Sequence, residues 1–180
     1  MPLALILGLW PLAPARAADA NPPLVKPREV RKVFSDGKHN AFTALVKFHD
    51  RYRLAFRSGK EHNSTDGEIV LLESGDAATW KETRRFKVGQ DDRDPQFLVA
   101  GPRLLLYIPA MSGSKLITTA ASTADGQNWS PPQPVYQPQF ILWKPCAFGG
   151  KYYAGAHKKD EVSGGKGREV HLVVSGDGLD

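Results

Sequence analysis

A single cysteine, Cys146, stands in 180 residues, so no disulfide can close within the chain and no cysteine-based metal site can be assembled. The cysteine lies in the apolar run 140–148 and reads as a buried, inert thiol. No long segment carries apolar residues at helical spacing, which argues against helices. The net charge of +5 is scattered in small groups at 51–57, 84–87 and 158–159. No basic helix or recognition motif accompanies it, so nucleic acid is excluded as a partner class, while an anionic ligand remains compatible. Nothing in the sequence calls for a cofactor or a metal. Long hydrophobic runs are also lacking: residues 3–12 form the longest N-terminal one, short of the ~20 residues that span a bilayer. Ala15 and Ala17 follow it with the spacing that signal peptidase cleaves. Residues 1–17 are therefore expected to be a signal peptide, although no Lys or Arg precedes the apolar stretch. The expected destination is the periplasm, the medium or the cell surface. Pro22, Pro23 and Pro27 make residues 18–37 an extended lead-in.

What the chain does have is a recurring turn. Ser74-Gly75-Asp76 is followed by Trp80, and Thr123-Ala124-Asp125-Gly126 by Trp129; Ser175-Gly176-Asp177-Gly178 opens a third copy. The hydroxyl anchors stand 49 and 52 residues apart. A period of roughly 40–50 residues is that of a four-stranded propeller blade. A hydroxyl and a carboxylate two residues apart can bond several N–H groups of one tight turn. Glycine next in sequence permits a positive φ, and the Trp can fill the space between sheets. Ala77 stands where copies two and three have Gly126 and Gly178, so the first turn is expected to differ. These residues are read as structural.

β-Branched and aromatic runs fall in sets of four: 42–48, 52–56, 68–73 and 80–86, then 96–99, 104–108, 116–121 and 129–135. A third set, 140–148, 152–156 and 170–174, lacks its fourth member. The expected fold is all-β, a partial six-bladed β-propeller with about three blades, occupying residues 38–180 and ending inside the third. Its last blade face and sheet edge would then be uncovered. His49-Asp50, Gly101-Pro102 and Gly149-Gly150 suit hairpin turns. The connections 57–67 and 157–167 are long and polar, whereas 110–114 is short. Long loops converging on one face of a rigid scaffold commonly carry function. That face would present Arg57, Ser58, Glu61, His62, Asn63, Asp91, Asp92, Arg93, Asp94, His157 and Lys158.

The turns resemble the Asp-boxes of sialidases (neuraminidases) and other BNR-repeat propellers. His39-Asn40-Ala41-Phe42-Thr43, Leu54-Ala55-Phe56-Arg57-Ser58-Gly59, His62 and Arg93-Asp94-Pro95 are similar to stretches of bacterial exo-alpha-sialidase-like proteins. The resemblance runs from about Lys38 onward and implies a glycoside hydrolase acting on terminal sialic acid or a related glycan. It implies an arginine clamp on a carboxylate, a Tyr–Glu nucleophile pair and an aspartate acid/base, the last in the first long loop near His62-Asn63 or Asp66, while Asp94-Pro95 resembles an active-site Asp-Pro that opens the second blade. Asp94 and His62 are the candidate catalytic residues, and Arg57 and Arg93 the substrate-binding ones. The family's first clamp arginine has no counterpart in Asn40-Ala41-Phe42-Thr43. The Tyr–Glu pair would belong to later blades, so the chain reads as an N-terminal fragment, inactive and poorly soluble by itself.

Each of these residues has a plainer reading. Arg57 and Arg93 either bind an anionic sugar or pair with Glu61, Asp91 or Asp92. His62 is a proton shuttle or a solvated loop histidine; Asp66, followed by Gly67, can be a turn residue. His157 reads as solvated, His171 as structural, and Trp143 as core or as a sugar platform. The second functional class is a non-catalytic propeller that binds glycans or proteins at the cell surface.

Overall fold

The computed structural model describes residues 28–159, 164 and 166–180. The expected signal peptide 1–17, most of the lead-in, and residues 160–163 and 165 of the third long loop lie outside them. The described residues contain strands and no helix, and all the strands belong to the unit Arg31–Asp180. The first sheet has four antiparallel strands in sequence order, β1 (His39–Phe48), β2 (Arg51–Gly59), β3 (Glu68–Ser74) and β4 (Lys81–Phe86). The second has β5 (Asp91–Asp92) and β6 (Gln96–Ala100), both paired with β7 (Arg103–Ser112), then β8 (Lys115–Thr123) and β9 (Gln133–Pro134). The third has β10 (Ile141–Phe148), β11 (Lys151–Lys159) and β12 (Arg168–Ser175).

The run Leu104-Leu105-Leu106-Tyr107-Ile108 in β7 shows how one strand joins two cores. Side chains alternate along a strand, so Leu104, Leu106 and Ile108 face the first sheet, packing with Ile69, Leu71, Phe86 and Trp129. Leu105 and Tyr107 face the third, packing with Phe140, Leu142 and Ala156. A strand buried on both faces reads as a continuous apolar run. The strands β1, β6 and β10, each at the edge of its sheet and here termed central, meet, with β6 touching both β1 and β10. On the other face of the first sheet, Phe56, Val70 and Leu72 are covered by Phe34, Leu54 and Trp80.

The strands fall within a few residues of expectation, except for one. Residues 129–135 were expected to form a strand, but only Gln133–Pro134 do. Pro131, Pro132 and Pro134 offer no N–H to the ladder, and Trp129 turns inward instead, edge-on to Phe86 at 5.7 Å. Trp80, by contrast, is only half-buried, and its indole N–H donates to the Ala77 carbonyl at 3.1 Å. Cys146 is exposed, not buried. It follows an irregularity in β10 that shifts the alternation, so the apolar run 140–148 does not face one core throughout.

The three Ser/Thr-x-Asp turns share one bonding scheme. Asp76 Oδ1 accepts the N–H groups of Ala78 and Thr79, both at 2.8 Å. Asp125 Oδ1 does the same for Gln127 and Asn128, and Asp177 Oδ1 for Leu179 and Asp180. Ala77 follows the same left-handed path, φ 58° beside 79° for Gly126 and 85° for Gly178. The first turn differs in one bond: Gly126 and Gly178 donate their N–H groups to the Thr123 and Ser175 hydroxyls at 2.8 and 2.7 Å, whereas the Ser74 hydroxyl accepts the Asp76 N–H at 3.3 Å. Two turns also lock neighbouring sheets. The Tyr107 hydroxyl of β7 donates to the Gly178 carbonyl. The buried Arg53 guanidinium occupies the space a side chain at Gly126 would fill, held by Glu73 at 3.0 Å and the Phe48 carbonyl at 2.8 Å.

A left-handed alanine costs about 1 kcal/mol relative to glycine. Ala77→Gly should therefore raise Tm by about 2–4 °C, measured by thermal unfolding. Hydrogen bonds from Thr79 and Ala78, joined by Ser74, bring the Asp76 carboxyl from an ordinary 3.8 down to about 2. A depressed carboxyl stabilises the fold above its unfolded pKa. That contribution should fade as pH falls from about 4 through about 2. Acid titration of Asp76→Asn should show a shallower loss across that window.

Candidate functional site

The site forms at the end of the sheets opposite the Ser/Thr-x-Asp turns. β3 runs from one end to the other, Glu68 to Ser74, a span of roughly 20 Å. The loop after β2 and the link from β4 to β5 meet there. Lys87 Nζ donates to the carbonyls of Gly67 at 2.6 Å and Gln90 at 2.7 Å, and the Asp92 N–H donates to the Gly67 carbonyl at 3.0 Å. The Asp92 carboxylate accepts the N–H groups of Val88 at 2.7 Å and Gly89 at 2.8 Å. Burial still pushes its pKa up. Asp92 thus holds a turn.

Arg57 is fully buried, and all three of its guanidinium nitrogens are engaged. Nε donates to Asp91 Oδ1 at 2.8 Å, Nη1 to the Glu61 carbonyl at 2.9 Å, and Nη2 to the Ser64 carbonyl at 3.0 Å and hydroxyl at 3.2 Å. The expectation that Arg57 touches substrate therefore meets a side chain that faces protein atoms. Gly67 makes the arrangement possible: a Cβ there would collide with Asp91 Oδ1 and Arg57 Nε. Asp91 passes the connection on. Its Oδ2 accepts from Arg93 Nε at 2.6 Å, and Arg93 Nη2 donates to the His62 carbonyl and Asn63 Oδ1, both at 2.8 Å. Arg93 keeps 19 % of its side chain exposed, enough for a ligand to reach it.

Asp94 sits where the central strand of the second sheet bulges. The ladder passes from Asp92 opposite Ala110 to Gln96 opposite Tyr107, and the Arg93 N–H donates to the Pro109 carbonyl, so Asp94 and Pro95 together oppose Ile108. The same irregularity occurs at Phe42-Thr43 in β1 and Lys144-Pro145 in β10. Phe42, Asp94 and Lys144 all take left-handed φ, 58°, 42° and 47°. Bulges re-aim side chains, and non-glycine residues held there cost about 1–3 kcal/mol. Burial pushes the Asp94 carboxyl pKa up, with Arg93, His62 and Arg57 pulling it back and Asp91 adding to the rise. No hydrogen bond from a described residue reaches that carboxylate.

Arg57, His62, Arg93 and Asp94 thus come together, with Asp91 as the hub. His62 is exposed, with its ring edge-on to His39 at 5.3 Å and to Phe42 at 5.2 Å. His39 Nδ1 is sealed from solvent without a partner among the described residues. His39 and Phe42 belong to the stretch His39-Asn40-Ala41-Phe42-Thr43 that carried the resemblance, but neither was singled out as a site residue; the bulge that places Phe42 is visible only in register. Asp66 accepts the Lys60 N–H at 3.1 Å, a turn role. His171 bonds Glu169 Oε1 at 2.6 Å and Tyr136 at 2.7 Å, consistent with a strand position. His157 is half-buried in β11, not solvated in a loop, and stands edge-on to Trp143 at 6.1 Å.

No family model matches the chain, and neither does any curated protein sequence. Solved structures resemble it in fold, an all-β architecture, and those structures are of glycoside hydrolases. An α-L-arabinanase of Penicillium chrysogenum, complexed with arabinobiose, is 15 % identical with a TM-score of 0.60, covering 78 % of this chain and 47 % of its own. An α-L-arabinofuranosidase of Fusarium graminearum, bound to an iminosugar inhibitor, is 14 % identical with a TM-score of 0.60, covering 78 % and 47 %. A family 117 glycoside hydrolase of Zobellia galactanivorans is 16 % identical with a TM-score of 0.55, covering 78 % and 53 %. The chain spans about half the length of the structures it matches, and the likeness is one of fold.

Removing the buried cation would strand Asp91 and the loop carbonyls. Arg57→Ala should cost about 3–5 kcal/mol in chemical denaturation. A substrate clamp would instead lose affinity at unchanged stability.

Proposed function

We propose that the chain contributes to a glycan-hydrolysing site in which Asp94 is the proton-transfer carboxyl. The observation that carries this reading is Asp94 itself. Its carboxyl is buried, its pKa is raised by that burial, and no described residue bonds it. A carboxyl so placed keeps its proton to higher pH than an ordinary aspartic acid and can give it to a leaving glycosidic oxygen. As the C–O bond breaks, the proton moves from Asp94 to the departing oxygen, and a second group activates the nucleophile. Arg93 stands as the positive charge beside it and His62 lies near both, a pair suited to orienting a polar sugar. Arg57 acts through Asp91 and is a positioning residue. The fold likeness to an arabinanase and an arabinofuranosidase supports glycan as the substrate class.

Sialic acid is the narrower form of this proposal, in a six-bladed propeller exported through residues 1–17. It rests on the resemblance of the Ser/Thr-x-Asp turns and of Arg93-Asp94-Pro95. The second reading is a non-catalytic glycan-binding propeller, favoured by the engagement of Arg57 with protein atoms alone.

Hydrolysis of fluorogenic glycosides, a sialoside and an arabinofuranoside included, separates the two readings. Hydrolysis by the wild-type protein that falls at least about 100-fold in Asp94→Asn supports the catalytic one. Asparagine tolerates left-handed backbone and removes a desolvated charge, so Tm should not fall. Glycan binding without turnover supports the second reading.

A further inference from the structure

Beside the Asp94 site, between the second and third sheets, a cleft of about 530 Å³ opens. That volume lies within the ~300–1,000 Å³ range of ligand pockets. Arg93, which reaches from the Asp94 site, forms one wall; Trp143, His157, Lys158, Lys159 and Arg168 form another part of the lining. No carboxylate lines it among the described residues. We propose that this cleft is a second sugar subsite that selects an anionic unit, sulfated or carboxylated, of a polysaccharide. The inference rests on the glycan-binding part of the reading above and extends it from one sugar to a chain of at least two.

Three observations converge on this. Lys159 and Arg168 are register partners across β11 and β12. Like charges placed directly opposite destabilise a sheet, and an anion shared between them offsets that cost. The neighbouring pair is built differently: Lys158 faces Glu169 and binds it at 3.4 Å. Repulsion is thus confined to the cleft end of the sheet. Trp143 is half-buried, with its ring braced edge-on by His157 at 89°, and a braced ring offers an apolar face to a sugar's C–H groups. Arg93, finally, keeps 19 % of its side chain exposed while lining the cleft, so a further cation is open to an anion there. Shared use of Arg93 sets the subsite next to Asp94, the relation of adjoining units along a polysaccharide.

Calorimetric binding of four probes tests the proposal. These are a chondroitin sulfate tetrasaccharide, its desulfated and methyl-esterified counterpart, a tetragalacturonate, and inorganic polyphosphate. Tighter binding of the sulfated or the carboxylated saccharide than of the neutral one supports the subsite, and the probe preferred identifies the anion. Binding should weaken as salt shortens the screening length to about 10 Å. Arg168→Gln should weaken the acidic saccharide about tenfold and leave the neutral one within about twofold, with Tm unchanged or raised as the repulsion with Lys159 is relieved. Trp143→Ala should weaken both saccharides and not polyphosphate. Equal affinity for acidic and neutral saccharides, or polyphosphate bound as tightly as the acidic saccharide, overturns the proposal. If acidic binding stands while the wild type hydrolyses nothing, the catalytic reading fails and the subsite survives. If hydrolysis stands without acidic preference, the subsite alone fails.

Discussion

The ion pair between Arg57 and Asp91 is the contact on which the site depends. Arg57 comes from the second strand of the first sheet and Asp91 from the entry to the second, so the pair sets where the two meet. Its guanidinium also gathers the carbonyls of Glu61 and Ser64, which gives the loop after β2 its shape. Taking two charges from water is costly, and such pairs add little net stability. Once formed, however, the pair cannot be half broken without stranding a buried charge. That asymmetry makes it a device of position. Asp91 shares its other oxygen with Arg93, and Arg93 in turn holds the backbone that carries His62.

Glycine is the other half of this device. Gly67 admits Asp91 and Arg57 against the backbone, and at the far end of the sheets Gly126 admits Arg53. In both places a buried arginine of the first sheet lies against a bare backbone segment. The two ends differ in what remains open. At the turn end the Asp76, Asp125 and Asp177 carboxylates each accept backbone N–H groups, and these bonds hold their pKa values down. At the loop end Asp94 accepts no such bond, and burial drives its pKa the other way. One scaffold therefore holds aspartates of opposite character, separated by the length of a strand.

Strain is placed with the same economy. The central strand of each sheet bulges at an equivalent point, and each bulge holds a left-handed residue that is not glycine. Phe42, Asp94 and Lys144 differ in chemistry while sharing a backbone, so the sheets are alike in path and unlike in what they present. Proline follows the second and third of them, fixing the strand's exit. This is how a repeated framework acquires a site that is not repeated.

Much of the framework was legible in the chain itself. The 49- and 52-residue spacing of Ser74, Thr123 and Ser175 announced three units, and β-branched, aromatic and apolar runs such as Leu104–Ile108 placed the strands. Local chemistry decides such features, because hydroxyl, carboxylate and glycine at short spacing close a turn wherever they occur. Residues 129–135 were misread because their three prolines outweigh the apolar pattern, and Cys146 because a register shift changes the face without changing composition. What only the tertiary structure decided was the use of each charge. Arg57 and Arg93 both sit near loops in sequence, yet one is sealed inside and the other reaches solvent. Burial and partner are properties of the packed sheets, set by residues 34 positions away in the case of Asp91, and no local pattern encodes them.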